Sequence, residues 1–279
     1  QPLPGGLDEG TFLITTRGAS ERLTAATRTL QSFGDHLAIA RAAAVRTFER
    51  DSEDGARGCY ASHLAIYRDA LARGLPVALI FEDNLAADPV ARDGPLCSER
   101  LEAVLRWAAG AAGTWDVLHL SLVHSAAALR LCRVSEDAPV VRVERTAPDW
   151  YGPVPIERAP GLGTTAYLVS RRAMEAVVRE DDRSGFQGVP IDDVLARRFG
   201  GTTFGAFPAP FHRGPSASLI NPGQQAFRAV MFDPSVSSKV EQALVATGLS
   251  TSQLVWLVLG GLALWTAVVF VPLAGALLG

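Results

Sequence analysis

The feature that most constrains this chain is an uninterrupted apolar run, VALIF at residues 77–81, which a glycine at Gly74 precedes and the polar triplet Glu82-Asp83-Asn84 ends. Five consecutive apolar residues without a polar alternate suit a strand covered on both faces, the situation of a central strand in an open α/β sheet. Residues 58–73 place Leu64, Tyr67 and Leu71 on one helical face, so helix, glycine stop and buried strand follow in order. The same alternation recurs. TFLITT at residues 11–16 leads to Ser20, a candidate N-cap for a helix over 21–32. A helix is predicted over 98–109, and strands over 116–122, 165–170 and 202–207. The pattern predicts an α/β domain.

Composition narrows the partners. A net charge of −3 leaves no positive field to hold a nucleic-acid backbone, which excludes nucleic acid as an expected partner. Cys59, Cys97 and Cys132 are too few and too far apart for a zinc site built from paired CxxC motifs, and they read as free or buried thiols. Residues 133–162 are rich in proline and charge without periodicity, which predicts a long loop over a cleft.

The C-terminus differs from the rest. No charged residue follows Glu241, and residues 254–278 read LVWLVLGGLALWTAVVFVPLAGALL. Twenty-five such residues predict a transmembrane helix with membrane lipid as its partner. The organisation expected is a tail at 1–10, a catalytic domain at 11–220, a linker at 221–253 and the span at 254–278. Localisation follows as a single-pass C-terminal anchor. Lys239 and Arg228 lie before the span and favour the cytoplasmic side, whereas an N-terminal signal upstream would deliver the domain to an endomembrane lumen, in the ER or Golgi.

Acidic residues at the end of an apolar strand are the main chemical signal, because ligands of open α/β sheets gather beyond the carboxyl ends of strands. Glu82 and Asp83 occupy that place and are candidate ligands of Mg²⁺ or Mn²⁺ against a nucleotide diphosphate. Asp192 and Asp193 precede a helix over 194–199, where a carboxylate serves either as helix cap or as proton acceptor. His63 reads as a structural hydrogen-bonding histidine or a substrate contact. Arg22 reads as a phosphate contact or a partner of a nearby carboxylate, and Tyr167 as core or substrate platform.

The segment GCYASHLAIYRDALARGLPVALIFEDN, residues 58–84, resembles the core motif of glycosyltransferase family 25, the lipopolysaccharide-type and collagen-type galactosyltransferases. Residues 12–22, Trp115 to Leu118, GTTAYLVSRRAMEA at 163–176, Pro190-Ile191-Asp192 and residues 216–220 resemble further family segments in the same order. The resemblance implies a GT-A-type nucleotide-sugar fold, a UDP-sugar donor (often UDP-galactose), a divalent cation (Mn²⁺ or Mg²⁺), and a glycan or protein-linked hydroxyl as acceptor. It assigns Glu82, Asp83 and Asn84 to the metal, Arg22, Ser62, His63 and Tyr167 to the donor site, and Asp192, with Asp193 as its alternate, to catalysis. Asn84 departs from the aspartate usual in the triplet, and its amide oxygen brings no charge to a cation. The alternative expectation is therefore a weakened or inactive member that keeps the fold as a binding or scaffold module.

Overall fold

The computed structural model describes residues 10–16, 19–31, 33, 45–48, 55–87, 97–122, 129–145, 163–214, 233–258 and 260–261. Strands are β1 (Thr11–Thr16), β2 (Val45–Phe48), β3 (Val77–Glu82), β4 (Leu85–Ala87), β5 (Val117–His119), β6 (Leu129–Arg133), β7 (Val140–Arg145), β8 (Ala166–Ser170), β9 (Thr203–Ala206) and β10 (Phe211–Arg213). Helices are α1 (Ser20–Gln31), α2 (Gly55–Ala72), α3 (Cys97–Gly110), α4 (Arg171–Ser184), α5 (Ile191–Phe199) and α6 (Pro234–Thr247).

Eight strands form one mixed sheet in the order β2-β1-β3-β8-β5-β9-β7-β6, and β4 pairs with β10 in a separate two-stranded ribbon. β1 runs parallel to both β2 and β3, whereas β8 is antiparallel to its neighbours β3 and β5. The mixed α/β class predicted from the alternation is present. β3 lies inside the sheet with helices over both faces, which is why its apolar run shows no polar alternate.

The two-residue period of the strands sorts the core into two layers. Leu13, Leu79, Phe81 and Leu168 face α1 and α3, where they meet Leu30, Leu101 and Leu105. Phe12, Ile14, Ala78, Ile80 and Tyr167 face the opposite way and pack on α2, α4 and α5 through Leu64, Tyr67, Met174 and Leu195. A third cluster joins β6 and β7 to α6 through Leu131, Val143 and Leu244.

Several elements were not expected. β2, β4, β6 and β10 carry too little apolar pattern for prediction, and β7 occupies part of the stretch read as a loop over 133–162. Cross-strand pairing with β6 and β9 supplies what periodicity alone did not. Residues 146–162 and the motif at 216–220 lie outside the described residues.

The C-terminal reading needs correction. Within the stretch expected as a linker, α6 packs against β6, and the buried carboxylate of Glu241 accepts the backbone N–H of Ala209 at 3.2 Å. The next helix begins at residue 251 and is sewn to the sheet: Thr251 Oγ1 accepts from the Leu129 backbone N–H at 3.0 Å, Ser250 bridges Arg130, and Leu254 packs against the third cluster. No helix among the described residues is long and apolar enough to cross a membrane. The transmembrane helix expected over 254–278 is overturned on that finding, and the localisation as a single-pass C-terminal anchor, with its lipid contact, goes with it. Hydropathy registers a run of apolar residues but not whether its first turn is already committed to a domain surface. Residues 262–279 lie outside the described residues.

One polar cluster holds the end of the sheet opposite Glu82. Asp116, buried just before β5, accepts from Ser170 Oγ at 2.9 Å, from Arg172 Nε and Nη2 at 2.8 and 2.7 Å, and from Thr202 Oγ1 at 2.7 Å. It ties β5 to the start of α4 and to the turn before β9. Burial works to raise its carboxyl, but the hydrogen bonds from Arg172, Thr202 and Ser170 outweigh it and hold it below the usual aspartate value of 3.8. Such a carboxylate stabilises the fold above its unfolded value, and that stability is lost as pH falls through the folded value. Asp116→Ala is expected to cost about 2–3 kcal/mol, because it orphans several donors at once. Arg172 is exposed, which keeps the cost below that of a fully buried pair. Urea unfolding at pH 7 and at low pH checks both the loss and its smaller size in acid.

Candidate active site

The candidate residues meet at the carboxyl end of β3, but not in the grouping read from the sequence. Glu82 continues the parity of Ala78 and Ile80, so its side chain leaves the sheet toward α2. Asp83 continues the parity of Leu79 and Phe81 and leaves toward α1. Chain neighbours are thereby sent to opposite faces.

Glu82 is the centre of the α2 side. Its Oε1 accepts from Thr164 Oγ1 at 2.5 Å and faces His63 Nε2 at 3.4 Å, and its Oε2 accepts from Asn84 Nδ2 at 3.2 Å. Burial acts to raise the Glu82 carboxyl, yet the His63 imidazole facing it, the hydrogen bond from Thr164 and the charge of Arg213 bring it down to about 2. His63 is completely buried in α2, and its Nδ1 lies 2.8 Å from the Tyr167 hydroxyl, which in turn lies 2.7 Å from that of Tyr67. Carboxylate, imidazole and two phenols therefore form one chain from the sheet end into the core.

Three of the donor-site candidates differ in what their polar atoms meet. Tyr167 is a core residue, fully buried on β8, with burial first and then the neighbouring Tyr67 pushing its hydroxyl well above the usual tyrosine range. Ser62 donates to the Gly58 carbonyl one turn earlier at 3.0 Å, so its hydroxyl is spent within α2. His63 joins α2 to the sheet through Tyr167 and faces Glu82 with its other ring nitrogen.

On the α1 side, Asp83 is buried and both of its oxygens are engaged. Oδ2 accepts from Thr15 Oγ1 at 2.8 Å and Oδ1 pairs with Arg22 Nη2. Among the described residues, Arg22 Nε and Nη1 are buried without a hydrogen-bond partner near the N-terminus of α1. Asn84 Oδ1 is buried without one as well.

Asp192 sits in the first turn of α5, accepts the Asp193 backbone N–H at 3.1 Å, and lies within electrostatic reach of Glu82 and His63. Burial and then the Glu82 charge raise its carboxyl above the usual aspartate value. Asp193 is buried in the same turn. Three contributors escaped sequence reasoning. Thr164 lies inside the 163–176 segment with no role assigned to it, Arg213 sits on an unpredicted strand, and Cys59, expected as a free or buried thiol, stands one helical turn before His63. Burial, followed by the charges of Glu82 and Asp192, pushes the Cys59 thiol well above its usual value.

Two measurements test this arrangement. Tyr167→Phe leaves both the Tyr67 hydroxyl and His63 Nδ1 without their partner and is expected to cost about 1–3 kcal/mol. Adding Tyr67→Phe should then cost less than it does alone, a non-additivity that urea-denaturation midpoints resolve. Separately, His119 beside Tyr167 is held down to about 4 by burial, against an ordinary 6.5. The unfolded chain binds the extra proton between those values, so stability should fall as pH falls from 6.5 toward 4. His119→Gln should flatten that limb of the pH–stability curve.

Comparison with solved structures finds distant likenesses. A glycosyltransferase involved in the glycosylation of the major capsid of PBCV-1 aligns over 76% of this chain and 96% of its own, at 9% identity and a TM-score of 0.39. Mannose-1-phosphate geranyltransferase from Thermus thermophilus aligns over 71% of this chain and 73% of its own, at 11% identity and a TM-score of 0.37. No family model matches the chain, and no curated protein matches it.

Proposed function

We propose that the chain is a glycosyltransferase that transfers a hexose, galactose by the family 25 resemblance, from a UDP-sugar to a hydroxyl of a glycan or protein-linked acceptor. The observation that carries this reading is convergence. Segments spread from residue 22 to residue 213 bring Arg22, His63, Glu82, Asp83, Asp192 and Arg213 to the carboxyl end of β3, where ligands of open α/β sheets bind. The catalytic domain proposed is residues 11–220.

Arg22 is the proposed diphosphate contact. One nitrogen steadies Asp83, and the buried N–H groups on Nε and Nη1 offer donors to phosphate oxygens beside a helix N-terminus. Asp192 is the proposed general base. As the acceptor oxygen bonds to the anomeric carbon, the bond from that carbon to the diphosphate oxygen breaks and UDP leaves with its electron pair. The acceptor's hydroxyl proton passes to an Asp192 carboxylate. Its raised proton affinity, from burial and the nearby Glu82 charge, suits that task.

A hard cation on the triplet does not fit the side chains as they stand. Mg²⁺ or Mn²⁺ requires several convergent oxygens, whereas Asp83 faces away from Glu82 and is closed by Thr15 and Arg22. A second reading, a donor-binding module without turnover, is favoured by the engaged Asp83 and the uncharged Asn84.

Calorimetric titration with UDP, followed by incubation with UDP-galactose and UDP-glucose and mass analysis of glycan and hydroxylysine-peptide acceptors, tests the proposal. UDP binding with a hexose mass increment is expected; binding without transfer selects the second reading, and failure to bind UDP overturns both. Asp192→Asn should lower transfer by about 10² to 10⁴ with binding retained. Arg22→Ala should weaken UDP binding.

A further inference from the structure

Cys59, His63 and Glu82 bring a thiol sulfur, an imidazole nitrogen and a carboxylate oxygen within 4.8 Å of one another. Cys59 and His63 share one face of α2 at i and i+4, and the end of β3 carries Glu82 up to that face. We propose that these three side chains form a binding site for a divalent ion of the zinc class.

Ligand chemistry points away from the hard cations that the acidic triplet suggested. Thiolate with imidazole and one carboxylate is a donor set for Zn²⁺, whereas Mg²⁺ and Ca²⁺ take oxygen ligands. The spacing agrees. Two light ligand atoms about 2.0–2.1 Å from a zinc ion at tetrahedral angles stand about 3.4 Å apart, and His63 Nε2 lies 3.4 Å from Glu82 Oε1. That nitrogen is buried and makes no well-formed hydrogen bond, so it is an oriented donor atom whose polar demand the protein leaves unmet.

The surroundings supply what a metal-bound histidine needs. Its far nitrogen, Nδ1, is fixed by Tyr167, so with Nε2 on the metal Nδ1–H donates to the Tyr167 oxygen and Tyr167 donates to Tyr67. A neutral imidazole takes the ion through Nε2 with no change in its own proton count. Cys59 loses its thiol proton to solvent as the sulfur–metal bond forms, releasing one proton per ion bound. The negative charges of Glu82 and Asp192 next to the sulfur are offset by the cation.

The same geometry disfavours a nucleophilic triad. Glu82 stands on the Nε2 side of the imidazole, with Tyr167 on the other nitrogen. A cysteine–histidine pair would need the carboxylate on the far nitrogen to orient the base.

Co²⁺ serves as the optical probe and Zn²⁺ as the competitor. The full chain should bind one equivalent of Co²⁺ with a thiolate-to-cobalt charge-transfer absorption, which Zn²⁺ bleaches. Cys59→Ala should abolish that absorption, and Cys132→Ala should preserve it. Because a variant can fail for reasons of folding, the unmodified chain is also alkylated with iodoacetamide and mapped by mass. Zn²⁺ should slow labelling of Cys59 at least tenfold and leave Cys132 unchanged. Absence of the thiolate absorption, its survival in Cys59→Ala, or equal labelling of Cys59 with and without Zn²⁺ overturns the site. Every readout is independent of sugar transfer, so this proposal and the transferase reading fail separately.

Discussion

Successive side chains of a strand leave the sheet on opposite faces, and in β3 both faces are covered by helices. The layers of the core, the sites of α1 and α2 and the fate of the acidic triplet follow from that. With Ala78 and Ile80 packed under α2, Glu82 must emerge on the α2 side. Leu79 and Phe81 beneath α1 and α3 oblige Asp83 to emerge on the other. A register shift by one residue would exchange the two carboxylates and bury the wrong half of every strand pair.

Buried polar groups divide the work between the ends of the sheet. At one end Asp116 meets four donors from α4, β8 and the turn before β9, a closed arrangement that leaves the carboxylate nothing further to bind. Beside it, an apolar cavity of about 440 Å³ lined by Leu105, Ala108, Trp115 and Leu168 opens far from Glu82. At the other end the polar atoms are incompletely matched: among the described residues, Arg22, His63 and Asn84 each keep a buried atom without a hydrogen bond. Unmet polar demand in a packed region costs stability unless a ligand satisfies it, so this end of the sheet is where ligand binding would restore what folding leaves unpaired.

The contrast between Asp83 and Asp192 shows how position changes chemistry for one residue type. Asp83, with a guanidinium and a hydroxyl on its oxygens, is held in place as a structural anion. Asp192 is buried close to the Glu82 charge, and its proton affinity rises. The first is a scaffold for Arg22. The second is suited to accept a proton.

Local pattern by itself determined the α/β class, the spans of β1, β3 and β8, the approximate spans of α1, α2 and α3, and the acidic end of β3, because those signals are periodicities and stop residues written within a dozen positions; α4 carried no such signal. It also placed Ser62, His63, Glu82, Asp83 and Asp192 near strand ends and helix starts. It did not show which would meet. β6 and β7 exist through pairing across the sheet and β10 through its ribbon with β4, and the partners of Glu82 come from residues 63, 84 and 164. The apolar run after residue 254 scored as a span because hydropathy is additive along the chain, whereas the docking of its first turn on β6 is a contact between segments more than 100 residues apart. Tertiary structure alone decided that Glu82 belongs with Cys59 and His63 rather than with Asp83, since the facing of a side chain depends on which helices cover the strand and not on its neighbours in the chain.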